Sequence, residues 1–138
     1  MIKNILGGLL AVMIGMLVVR FSISYSHTLY EIPEGLDSTD ANDRAIVVAA
    51  VTKDAKTILI CGHMIAAFLA GFIAAKISSH AKLGTGMISS MVILIGTITM
   101  VIMMGFPWGF SSLLVFATIF AAYAGSRVGS GGQVYIDA

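Results

Sequence analysis

Charge is what this sequence has least of. Of 138 residues, 8 are Lys or Arg and 7 are Asp or Glu, so 11% are charged against 58% hydrophobic. A soluble domain carries about a quarter charged residues. Together with a mean hydropathy of +0.97, this makes lipid rather than water the expected solvent for most of the chain. The net charge of +1 gives no electrostatic footing for nucleic acid. A single cysteine, Cys61, excludes an internal disulfide; it lies in an apolar run and reads as a small packing or lipid-facing residue.

Six of the seven acids fall between Ser26 and Lys56. No carboxylate therefore lies within an apolar run, where proton-coupled transporters commonly place one. Asp37, Asp40 and Asp43 recur every three residues, which is not the alternation of a calcium loop; capping and solvation are their expected roles. There is no Gly-rich phosphate loop and no convergent Ser-His-Asp set. We assign no catalytic residue, no metal and no cofactor, and expect a protein that is not an enzyme.

What is present is a series of long apolar runs. We read one all-α integral membrane domain over residues 1–138. Its spans are about 4–26, 57–77, 83–104 and 110–127, each close to the roughly 20 residues that cross the hydrocarbon. Lys3 and the run behind it imitate a secretory signal, but no clear small-x-small cleavage site of the Ala-x-Ala kind follows. A long loop, 27–56, separates the first two spans, and the tail from 129 to 138 is expected to be flexible. In the loop, Pro33 and Gly35 mark a turn. Asp40 suits a helix N-cap, with Asp43 near the positive end of the helix dipole. A short helix should follow, with a break near Thr52 to Lys56. The fold expected is thus a four-transmembrane-helix bundle with a long extracytoplasmic loop containing a short helix.

The central span organises the rest. Gly62, Ala66, Ala70 and Ala74 recur at four-residue spacing, and Ala67, Gly71 and Ala75 form the adjacent face. In lipid, helices gain little by burying apolar side chains, whereas small residues let two backbones approach and gain dispersion contact. Ala117, Ala121, Gly125 and Gly129 make a second such stripe in the last span.

Two polar residues in the spans stand out. Arg20 lies within the last two turns of the first span; its ordinary role is to snorkel to the interface, and its alternative is an ion pair with a loop acid. His63 is a candidate proton relay, metal ligand or haem ligand, and its ordinary role is to bond a neighbouring helix or water. Ser89, Ser90, Thr97 and Thr99 of the third span should bond back to their own backbone or across to a neighbour. Tyr25 and Trp108 read as anchors at one interface and Tyr123 at the other. Lys3, Lys76, Lys82 and Arg127 flank one side; Arg20, Arg44, Lys53 and Lys56 flank the other. Lys3 and the short loop His80 to Lys82 place the termini in the cytoplasm.

The run Ile32-Pro33-Glu34-Gly35-Leu36-Asp37-Ser38-Thr39-Asp40 resembles the Pro-x-Gly-x-Asp turn of a family of small bacterial four-span membrane proteins. In that family the second span carries a histidine, a glycine eight residues on and an Ala-Ala-Lys exit. His63, Gly71, Ala74, Ala75 and Lys76 are similar, and Pro107 with Trp108 resembles its element before the last span. The resemblance extends to about Gly129; the end of the third span and the tail depart from it. It implies a multi-pass protein of the bacterial inner membrane and brings no activity with it.

Three functional readings follow. The first is a non-catalytic accessory or structural subunit, with the lipid bilayer and other membrane subunits, or further copies of itself, as partners. It is motivated by two small-residue stripes, more than one bundle needs. The second is a small homo-oligomeric channel or carrier, with His63, Ser89, Ser90, Thr97 and Thr99 along the path. The third is a haem or redox subunit using His63.

Overall fold

Residues 2–36 and 40–132 are described by a computed structural model, and among them every regular element is helical. Asp37 and residues 133–138 lie outside the described residues. Four helices are long and apolar enough to cross a membrane: α1 (Ile2–Ser26), α3 (Lys53–Ile77), α4 (Lys82–Met104) and α5 (Trp108–Gly129). The fifth, α2 (Ala41–Ala50), is short. At 1.5 Å per residue, α1 and α3, of 25 residues each, run about 37 Å, longer than the roughly 30 Å of hydrocarbon.

The helix ends follow from local chemistry. The Asp40 carboxylate accepts from the backbone N–H of Asn42 at 2.7 Å and of Asp43 at 3.4 Å, capping α2. Val51 and Thr52 are extended, and the Thr52 hydroxyl accepts from the Ala55 N–H at 3.2 Å to open α3. The second long helix therefore starts at Lys53 rather than 57, because the threonine cap sits at the front edge of the expected break. Asp54 in its first turn and Lys76 in its last complement the helix dipole. Between α4 and α5, Gly105 takes a left-handed conformation (φ 69°), and Pro107 then opens α5.

The turn between α3 and α4 is less ordinary. Ala81 adopts a left-handed conformation (φ 48°), which an L-residue with a Cβ resists. Asn4 braces this turn from α1: its Oδ1 accepts from Ser79 N–H at 3.0 Å and Ser79 Oγ at 3.2 Å, while its Nδ2 donates to the His80 carbonyl at 3.1 Å. Ser78 Oγ reaches the same carbonyl at 2.8 Å.

Helix α3 touches α1, α4 and α5, and α1 and α5 lie on opposite sides of the α3–α4 pair. One core cluster joins Ala66, Ala67 and Ala70 to Ile93, Ala121 and Ala122. A second, at the loop end, joins Val48, Val51, Ala55, Leu59 and Phe106. Arg44 ties α2 to the end of α4, donating to the Met103 carbonyl at 2.8 Å.

The small-residue faces of α3 are met from two sides: Gly62 and Ala66 by Ser22 and Gly15 of α1, and Gly71 and Ala75 by the stripe of α5. A Cβ at Gly71 would stand 2.6 Å from Ser126 Oγ and 2.9 Å from the Ala122 carbonyl, and one at Gly125 would run into the Phe68 carbonyl. The close α3–α5 approach therefore requires glycine at both positions. This corrects the motive for an outside partner, because α1 and α5 occupy the α3 stripes within the bundle. Ala117 also needs correction, since it is only half-buried. Four-residue steps rotate about 40° each around a helix, so a stripe through Gly125 has swung about 80° by Ala117. Leu114 and Thr118, both fully buried, stand on the inner face in its place.

Candidate functional site

Among the described residues, most interior hydroxyls are turned onto the backbones of their own helices, while Ser89 of α4, 4% exposed, makes no hydrogen bond and Ser78 bonds into the turn after α3. Ser22 donates to Val18 at 2.8 Å, Ser26 to Ile23 at 2.8 Å, Ser90 to Gly86 at 2.9 Å, Thr97 to Ile93 at 2.9 Å, Thr118 to Leu114 at 2.7 Å and Ser126 to Ala122 at 2.8 Å. Thr99, on the outside, donates to Ile95 at 2.9 Å. In a medium without water this bond removes the penalty of an unsatisfied hydroxyl.

His63 is 1% exposed, and its Nδ1 lies 2.7 Å from the Leu59 carbonyl. A carbonyl only accepts, so Nδ1 carries the proton. The neutral ring then presents a lone pair at Nε2. No buried side-chain nitrogen or oxygen among the described residues lacks a partner, and no hydrogen bond engages Nε2. It must therefore reach an accessible surface, and the surface His63 lines is a groove between α1 and α4.

That groove holds about 290 Å³ and is lined from α1 by Met16, Val19, Arg20, Ile23 and Ser24, and from α4 by Val92, Ile93, Gly96, Thr97 and Met100. His63 of α3 joins them. The structure thus brings together Arg20 and His63, which the sequence singled out separately. Arg20 is exposed, and no hydrogen bond or ion pair engages it among the described residues. Ser24 was not singled out. It is exposed, lies one turn beyond Arg20, and unlike Ser22 and Ser26 makes no hydrogen bond back to its helix. Its four-residue offset from Arg20, which puts both on one helix face, was the available signal.

The other residues singled out lie elsewhere. Gly62, Ala66, Ala67, Ala70, Gly71 and Ala74 are buried on α3, and Ala121 and Gly125 are buried on α5. A Cβ at Gly62 would collide with Ser22 Oγ, so this glycine serves the α1 contact. Cys61 is exposed, on the other side of α3 from His63. Pro33, Gly35 (φ 85°) and Asp40 lie in the connection before α2. Tyr25 stacks on Phe21 at 6.4 Å, Trp108 is 89% exposed, and the Tyr123 hydroxyl accepts from Arg127 at 3.1 Å.

For metal chemistry, no cluster of three His, Cys, Asp or Glu occurs among the described residues. His27 is engaged with the Tyr30 hydroxyl at 2.8 Å, and His80 lies at the opposite end of the bundle, beside Asn4. Neither shares the groove with His63. No family model, curated protein or solved structure matches this chain.

Proposed function

We propose that this chain is a non-catalytic, multi-pass integral membrane protein that serves as an accessory or structural subunit of a larger membrane assembly. Its location is the bacterial inner membrane, with both termini in the cytoplasm and the connection carrying α2 on the outer side. One observation carries the reading: the hydroxyls packed inside the bundle, Ser89 apart, bond to backbone carbonyls next to them, as Ser22, Ser26, Ser90, Thr97, Thr118 and Ser126 do. A bundle closed in this way offers a solute no ladder of free polar groups through its centre; the unpartnered Arg20, Ser24 and His63 Nε2 open instead on the outer groove between α1 and α4. What it does is done through its outer faces.

Those faces are broad and apolar. Along α1, Leu6, Leu9, Met13, Leu17 and Phe21 are exposed, and on α5 Phe116 and Phe120 are exposed. The small-residue stripes no longer argue for a partner, so the outer apolar faces take over that role. The orientation rests on Lys3, Lys76, Lys82 and Arg127 gathering at the end that carries the termini, and on the family resemblance.

Extraction in a mild detergent followed by native electrophoresis and mass spectrometry tests the assembly. The expected result is a species well above 14.5 kDa containing a second membrane polypeptide at fixed stoichiometry. Substitution of Leu9 and Met13 by serine should release that polypeptide. Migration only as a free 14.5 kDa chain overturns the proposal.

A further inference from the structure

The groove between α1 and α4 is polarised along the membrane normal. Helix α1 leads up to the loop end and α4 returns to it after the single crossing of α3, so the two run in the same direction; Met16 and Val92 mark the deep end of the groove, and Ser24 and Met100 its end near the loop. Eight residues on each helix make it about 12 Å long. The deep end is lined by Met16, Val92, Ile93 and the open backbone at Gly96, where a Cβ would meet nothing within 4 Å. The loop end carries Arg20, Ser24 and His63. Since Gly62 packs on Ser22, its neighbour His63 stands at the level of these α1 residues.

Three groups here lack a protein partner among the described residues: the Arg20 guanidinium, the Ser24 hydroxyl and His63 Nε2. The last belongs to a side chain that is 1% exposed. An uncompensated cation inside a span is costly unless it reaches the headgroup region or finds an anion. Arg20 stands six residues before the loop end of α1, within reach of the lipid phosphates there for a long side chain that snorkels. A bridging water would satisfy His63 alone, but about 290 Å³ is about ten times a water's share of liquid volume, and the deep end is apolar.

We propose that this groove seats one anionic glycerophospholipid bearing headgroup hydroxyls, of the phosphatidylglycerol class. Its phosphate sits on the Arg20 guanidinium, whose planar fork suits phosphate oxygens. The Ser24 hydroxyl donates to the same phosphate. His63 Nε2, the acceptor of the neutral ring whose Nδ1–H is bonded to Leu59, takes a hydrogen bond from a headgroup hydroxyl. One acyl chain runs inward over Met16, Val92 and Gly96.

The test uses the full chain in nanodiscs of phosphatidylcholine containing a minority of phosphatidylglycerol, with native mass spectrometry counting the lipids that stay bound. The expected result is one phosphatidylglycerol retained at about fivefold or more above its share of the bulk. Arg20→Ala should bring retention to the bulk ratio, Arg20→Lys should keep part of it, and Arg127→Ala, at the opposite end, should leave it unchanged. Excess inorganic phosphate should not displace the lipid. Circular dichroism establishes that each variant is folded, and His63→Gln, which keeps an acceptor, should retain more lipid than His63→Leu. Retention at the bulk ratio in the wild type, equal loss in Arg127→Ala, or a dimeric mass with no bound lipid would each overturn the proposal, the last by assigning the groove to a second copy.

Discussion

His63 and Tyr30 each make one side-chain bond, and the consequences differ with their surroundings. For His63, the bond to Leu59 puts a proton on Nδ1, so that in the neutral ring Nε2 is the acceptor facing the groove. Tyr30 stands outside the spans, half-buried against the second core cluster and bonded to His27. Burial pushes its phenol above the usual value. The folded chain then holds that proton more tightly than the unfolded chain. The stability contributed is complete below about pH 10, the unfolded value, and is lost as pH rises through the folded one. Melting in detergent between pH 8 and pH 11 should show an alkaline fall that Tyr30→Phe reduces. At Ala81 the strain lies in the backbone: Ala81→Gly relieves the left-handed conformation and should stabilise by about 1 kcal/mol, read as a higher melting temperature. Ala81→Val should lower it.

At the scale of helices, the contact between α3 and α5 is set by how near the backbones come. Gly125→Ala drives a methyl into the Phe68 carbonyl and should cost about 1–3 kcal/mol. Gly96→Ala meets open space and should be neutral or slightly stabilising, since glycine weakens a helix interior. The two melting temperatures in one detergent make the comparison. The helices themselves were legible from length and hydropathy, because lipid allows so few solutions for an apolar run of more than 20 residues. Which helix each small-residue face meets was not legible: a stripe states how close a neighbour comes and leaves open which neighbour it is. Ala117 was misplaced because four-residue spacing drifts around the axis. Arg20 and His63 were each visible as misfits in apolar sequence, but their common groove depends on the packing of three helices. Ser24 was passed over because a serine near a helix end is unremarkable until its neighbours Ser22 and Ser26 are seen to bond back and it is not.

For the molecule as a whole, the proposed orientation has a direct readout. In a Cys61→Ala background, Glu34→Cys should react with a membrane-impermeant maleimide on intact cells, and Gly132→Cys only after lysis. The reverse pattern would invert the topology while leaving the bundle as described. The wild-type Cys61 should resist the same polar reagent although it is exposed on the protein surface, because that surface faces hydrocarbon. Finally, Asn4 holds Ser79 and His80 across about 75 residues of sequence. A ribosome makes the clasp's first half long before its second. Until Ser79 and His80 emerge, the Asn4 amide at the exposed end of α1 has only water to bond, so this hydrogen-bonded corner closes after the second crossing is made and ties the first crossing to the start of the third.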